Sequence, residues 1–193
     1  MIGKVAERRE ARTQQILECA WELARTEGVA GFSLHALARA VGIRQPSLYE
    51  YFASKDALYD AMFADGNRRL HDRLDAVKLP TDPRAALKKM LRAFVDFALE
   101  DPARCELIFQ RHIPGFTPSA DSYALAEQAM VRVRVAMQRA DVTATGDVDC
   151  LVAITGGVIE AQLSNEPDTK RWTRHLERLI DMYLDDMHRR STK

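Results

Sequence analysis

Apolar positions recur with a helical period through most of the chain. Between residues 7 and 27, Ile16, Ala20, Leu23 and Ala24 fall at i, i+4, i+7 and i+8, and Gly28 follows as a stop. Val148, Leu151, Val152, Thr155, Val158, Ile159, Gln162 and Leu163 share one face of 147–165. Trp172, Leu176, Leu179, Ile180, Tyr183, Leu184 and Met187 do the same near the C-terminus. Thr81-Asp82-Pro83 and Asp101-Pro102 read as N-caps with proline in the first helical position. No run of six residues alternates convincingly, and Asp65-Gly66 lies inside a helical pattern rather than between strands. The pattern predicts an all-α chain of about nine helices, at 7–27, 34–41, 45–51, 55–78, 83–100, 103–112, 119–140, 147–165 and 168–189. Ile113-Pro114-Gly115-Phe116-Thr117-Pro118 is the clearest loop, with a second break at 141–147 and no repeat at solenoid spacing.

Composition narrows the class. The 193 residues are 47% hydrophobic and 29% charged, enough apolar surface to exclude a disordered or collagen-like chain. Apolar runs such as Leu151-Val152-Ala153-Ile154 fall far short of the ~20 residues that span a membrane. The charged N-terminus is followed by no apolar signal core, so a cytoplasmic protein without a membrane partner is expected. Cys19, Cys105 and Cys150 are too scattered for a disulfide framework or a metal knuckle. Histidines 35, 71, 112, 175 and 188 form no metal-ligand pair, and neither a phosphate loop nor a nucleophile elbow is present. Cys105, beside Glu106 and seven residues before His112, reads as a buried structural thiol. No metal, cofactor or catalytic activity is expected.

The net charge is zero, which argues against a polyanion binder over the whole chain. The charge is uneven, however. Residues 1–55 hold eight Lys and Arg against six Glu, a mild basic excess that points to the N-terminal end if nucleic acid is a partner.

Residues 33–52 carry the sharpest local signal. Two short helices flank Gly42, with Ser33 as N-cap of the first and Pro46 near the start of the second. Leu34, Leu37, Ala38, Val41, Ile43, Leu48 and Phe52 form an inward set; Ala38 is small where helices cross, and Gly42 supplies the positive φ of a tight turn. Arg44, Gln45, Ser47, Tyr49, Glu50 and Tyr51 form an outward set able to meet base edges and phosphates. These signals fit a helix-turn-helix, and equally any helical hairpin with a glycine turn.

The string Leu37-Ala38-x-x-Val41-Gly42-Ile43-x-x-x-Ser47-Leu48-Tyr49-x-Tyr51-Phe52-x-Ser54-Lys55-x-x-Leu58 resembles the DNA-binding segment of the TetR family of transcriptional repressors. Ile16-Leu17, Ala20, Leu23-Ala24, Gly28 and Phe32-Ser33 are similar to that family's first helix and following turn, and the likeness covers about residues 8–65. The resemblance implies that Gln45, Pro46, Ser47, Tyr49 and Tyr51, with Arg44 at the start of the helix, occupy DNA-contacting positions. It implies that Lys55 grips a phosphate and that Ser33 and His35 approach the backbone. His35 and Glu50 depart from the usual residues; Glu50 can accept from a cytosine amino group, stay solvated, or pair with Arg44 or Arg39.

The division expected is a helix-turn-helix domain at 1–55, its motif at 33–52, and a ligand-binding and dimerisation domain at 56–193. Met62, Phe63, Met90, Phe94, Phe97, Phe109, Phe116, Tyr123 and Met130 suit an adaptable apolar pocket, with His112 and Thr155 among its polar candidates. Each of these residues also fits an ordinary core. The resemblance implies a pocket here, and implies that the last two helices pair across a two-fold axis. Val152, Thr155, Ile159, Gln162, Trp172, Leu176, Leu179 and Tyr183 are the candidates for that interface, with Gly156-Gly157 permitting close approach. The expected function is a homodimeric repressor on a palindromic DNA operator, released by a small, largely apolar effector. An all-α small-molecule-binding protein or enzyme without specific DNA binding is the alternative, and a DNA-binding nucleoid or adaptor protein a third.

Overall fold

Several of the helices start where a side chain or a proline resolves the unpaired amides of the first turn. The computed structural model describes residues 2–110 and 113–191, and no strand occurs among them. The α-helices are α1 (Ile2–Glu27), α2 (Leu34–Val41), α3 (Gln45–Leu48), α4 (Lys55–Asp75), α5 (Pro83–Glu100), α6 (Pro102–Cys105), α7 (Ala120–Ala129), α8 (Val131–Arg139), α9 (Thr145–Asn165) and α10 (Leu176–Ser191). The Ser54 hydroxyl accepts from the Ala57 amide at 3.0 Å, Asp82 from Ala85 at 2.7 Å and Asp101 from Arg104 at 3.2 Å.

Three expected helices are interrupted. The predicted 103–112 helix is α-helical only to Cys105 and continues as a π-helix over Glu106–Gln110. The predicted 119–140 helix breaks at Met130, where no proline or glycine gives warning. The predicted 168–189 helix begins with a 3₁₀ turn at Thr173–His175. α4 ends at Asp75, three residues before the predicted limit, and α1 begins at Ile2 rather than residue 7.

The chain separates into two compact units, Met1–Arg69 with Asp101–Glu127, and Leu70–Glu100 with Gln128–Lys193. All of residues 1–55 lie in the first. Its core gathers Ile16, Ala20, Trp21, Phe32, Leu37, Ala38, Leu48, Leu58 and Met62. A buried polar knot crosses it: Trp21 Nε1 and Arg69 Nε each donate to Asp65 Oδ2 at 2.8 Å, and Arg69 also holds Glu18. Gly66 has a structural reason to lack a side chain, since a Cβ there would stand 2.9 Å from Ile108 Cγ2.

In the second unit α5, α8, α9 and α10 pack together. Arg84 on α5 donates to Asp181 at 2.6 Å and to Asp185 at 2.7 Å on α10, and Lys88 adds a third donor, to Asp181 at 3.0 Å. Burial works to raise the Asp181 carboxyl, but hydrogen bonds from Arg84 and Lys88 outweigh it and hold the pKa below its ordinary value. The buried Gln162 amide organises the α9–α10 connection: its oxygen accepts from the Trp172 and Thr173 amides at 3.1 and 3.3 Å, and its nitrogen donates to the Thr169 carbonyl at 2.9 Å.

Trp21→Phe removes one donor from a buried carboxylate, and denaturant unfolding is expected to show a loss of about 1–3 kcal/mol. Arg84→Met is expected to lower the melting temperature at pH 7 by about 2–4 °C. Because the Asp181 pKa is depressed in the fold, its stabilisation is present above the ordinary carboxylate value and lost as the pH falls through the folded value. Thermal melts of the two proteins should therefore converge in acid.

Candidate nucleic-acid interface

The short helices α2 and α3 pack onto α1 through Leu37, Ala38, Val41, Leu48 and Phe52, all buried. Ser33 caps α2, its hydroxyl accepting from the Ala36 amide at 3.0 Å. Gly42 ends α2 with φ 75°; its amide bonds the Arg39 carbonyl at 3.1 Å and the Ile43 amide bonds the Ala38 carbonyl at 2.9 Å. That left-handed residue redirects the chain so that α3 crosses α2 with only Leu48 of its four residues buried.

The remaining α3 side chains face outward. Arg44 precedes the helix as an exposed N-cap with no side-chain capping bond, and Pro46 fills the first turn. Gln45 and Ser47 are half-exposed, Tyr49 is 47% exposed, and Tyr51 is half-buried. His35 is exposed at the start of α2. The Glu50 side chain is exposed and forms no ion pair with Arg39 or Arg44. One surface of α2, α3 and the following turn thus presents hydroxyl, amide, guanidinium and phenol groups without acid pairing, an arrangement able to meet base edges and phosphates.

Lys55 has a partner inside the chain. Its Nζ donates to the Ala30 carbonyl at 3.1 Å and lies 5.2 Å from the Phe32 ring centroid and 5.3 Å from that of Tyr59. Tyr59 in turn donates its hydroxyl to the Val29 carbonyl at 2.9 Å, so the start of α4 is tied to the turn that leads into α2. Sequence reasoning missed Arg9 and Arg12. Arg9 Nη2 donates to the Glu50 carbonyl at 2.7 Å with its guanidinium 5.4 Å from the Tyr51 centroid, and Arg12 reaches the Val41 carbonyl at 3.4 Å. Nothing local signals these partners, which lie 41 and 29 residues away along the chain.

The other candidates fall in separate places. Met62, Phe63, Phe109, Phe116 and Tyr123 belong to the first unit; Met90, Phe94, Phe97, Met130 and Thr155 belong to the second. Met62, Phe63, Met90 and Phe97 are buried, Tyr123 is exposed, and Phe116 packs on Tyr59 with centroids 5.6 Å apart. His112 lies outside the described residues. Of the interface candidates, Thr155, Ile159, Gln162 and Leu176 are buried within their own unit, and Trp172, Leu179 and Tyr183 are half-buried. Thr155 and Gln162 bond to the backbone of their own chain. Val152 is 55% exposed, beside exposed Ala153, Gly156 and Gly157; Met182, which sequence reasoning passed over, is also 55% exposed.

Comparison with known proteins converges on the same segment. Residues 16–62 match the model of bacterial regulatory proteins of the tetR family. An HTH-type transcriptional regulator of Mycobacterium tuberculosis is 28% identical over 172 residues, 84% of this chain and 70% of that protein. A nucleoid occlusion factor of Glaesserella parasuis is 30% identical over 92 residues, 47% of this chain and 46% of that one. The solved structure of a TetR-family regulator from Thermus thermophilus, 21% identical, superposes with a TM-score of 0.63 over 88% of this chain and 94% of its own. With its glycine-turned pair of helices and outward polar face, the matched segment is a helix-turn-helix of the tetR type, and the chain as a whole is similar to transcriptional regulators that carry it.

Proposed function

We propose that the protein is a homodimeric repressor that reads a palindromic operator through α3 and releases it on binding a small, largely apolar effector. The observation that carries the DNA reading is the outward face of α2–α3, with Gln45, Ser47 and Tyr49 open to solvent on a helix anchored by Leu48 alone. Arg44, Gln45 and Tyr49 are assigned to the bases and the nearby backbone, Ser33, His35, Pro46 and Ser47 to the phosphate track, and Tyr51 to its edge. Lys55 meets a phosphate when its hold on Ala30 is exchanged for DNA.

The dimer reading rests on Gly156 and Gly157. Each costs about 1 kcal/mol relative to alanine within a helix. A Cβ at either position would meet nothing within 4 Å, so packing within the chain supplies no reason for them. A partner helix crossing closely over Val152, Gly156, Gly157 and Met182 supplies one, and a two-fold pair would set the recognition helices about 34 Å apart on successive major grooves. In this reading residues 1–55 bind DNA and 56–193 bind the effector and the partner. α4, which starts at Lys55 and carries Met62 and Phe63, communicates between them. The setting is the cytoplasm, and no helix among the described residues is long and apolar enough to cross a membrane. A second reading, suggested by the relative named as a nucleoid occlusion factor, is a nucleoid protein; in that reading DNA binding is constitutive, without an effector.

A duplex enriched by the wild-type protein from a random-sequence pool should be palindromic. Tyr49→Ala should weaken its binding by about 1–3 kcal/mol with no change in melting temperature. Lys55→Ala should lower the salt slope by about one unit on all sequences and, without DNA, lower the melting temperature because Ala30 loses its donor. Failure of the wild type to enrich any duplex would overturn the DNA reading. For the effector, apolar candidates that bind should do so about 5–150-fold more weakly when the duplex is present. Equal binding in both cases would favour the constitutive reading.

A further inference from the structure

Two arginines of α1, one helical turn apart, reach the ends of the two helices of the DNA-reading unit. Each takes a carbonyl that local backbone bonding leaves over. In α2 the turn at Gly42 uses the Ala38 and Arg39 carbonyls, and Arg12 donates to that of Val41, the last residue of the helix, at 3.4 Å. After α3, the Tyr51 and Phe52 amides both bond the Leu48 carbonyl at 3.0 Å, and Arg9 donates to that of Glu50 at 2.7 Å. A four-residue helix lacks the length to hold itself, because nucleation is costly and few bonds repay it. The turn at 49–51 therefore depends on what grips it from outside. Arg9 grips it twice, through the Glu50 carbonyl and over the face of Tyr51.

We infer that Arg9 is a positioning residue for DNA reading: it fixes the Tyr49–Tyr51 turn in the orientation that meets DNA, without itself neutralising a phosphate. This rests on the reading of α3 as the recognition helix. Arg9 and Glu50 are both exposed, so water can replace the guanidinium at the carbonyl when Arg9 is lost. The loss is therefore one of order in the turn, with little cost to the fold.

The test compares wild type, Arg9→Ala and Arg9→Lys in duplex titrations over a range of salt, in thermal melts, and in amide hydrogen exchange of residues 49–53 without DNA. The duplex is the one enriched by the wild type. For Arg9→Ala the expected results are about tenfold weaker binding, an unchanged salt slope, an unchanged melt and faster exchange at 49–53. Lysine should restore only part of the affinity, because an ammonium cannot lie flat on the Tyr51 ring while bonding the carbonyl. A salt slope lowered by about one unit, with lysine restoring full affinity, would make Arg9 a phosphate contact and overturn the assignment. Unchanged affinity and exchange would overturn it too. If the wild type enriches no duplex, the DNA reading falls, and the exchange measurement alone decides whether Arg9 orders the turn.

Discussion

The carboxylate of Asp65 is the constraint around which the first unit is arranged. It is 5% exposed, and a charge so placed is tolerated only when donors surround it. Trp21 supplies one from α1 and Arg69 another from one turn along α4, both to the same oxygen. The pair of helices is thereby fixed in register as well as in contact, since sliding α1 along α4 would strand the charge. Gly66, next in sequence, keeps the neighbouring surface low enough for Ile108 to sit against it. Removing either donor leaves the buried carboxylate with one partner fewer and no water to replace it, which costs more than a hydrogen bond at the surface.

On that fixed α1 the short helices α2 and α3 are held by few contacts. Leu37, Ala38 and Val41 seat α2, while α3 has only Leu48 with Phe52 just beyond it. Such light anchoring leaves most of the α3 side chains facing outward, and it shifts the burden of orientation to polar clamps. Lys55 and Tyr59 hold the turn before α2 by the Ala30 and Val29 carbonyls, and Arg9 holds the turn after α3 by that of Glu50. These clamps bond backbone carbonyls, and Arg9 and Lys55 also lie over neighbouring rings, so they constrain the direction of the turns while Tyr49 stays exposed.

The second unit solves a different problem, that of joining long helices through connections with few apolar residues. Gln162 does it with one buried amide that serves three or more backbone groups of the following loop. Arg84 does it at the surface, spanning one turn of α10 through Asp181 and Asp185. With Thr155 and Gln162 turned inward, the exposed positions of α9 between Asp149 and Glu160 are small and apolar. This separates Thr155 and Gln162, which hold the fold, from Val152 and the glycine pair, which have no work to do within it.

Sequence by itself determined the all-α class, the two helices around Gly42, and the inward and outward sets of the segment 33–52. Periodicity, capping residues and a positive-φ glycine are local properties written in neighbouring residues. The starts at Ser33, Asp82 and Asp101 were legible for the same reason. Tertiary structure alone decided the break at Met130, the π-helix after Cys105 and the sorting of apolar residues between core and open surface. Met62 and Phe63 read equally well as pocket or core, and Ile159 and Leu176 equally well as partner face or interior, because a helical pattern shows which side is apolar but not what covers it. In the sequence Arg9 is one more charge on a helix whose basic and acidic residues balance; its place against Glu50 and Tyr51 became visible only on folding, since a guanidinium's function depends on which distant carbonyl and ring it meets.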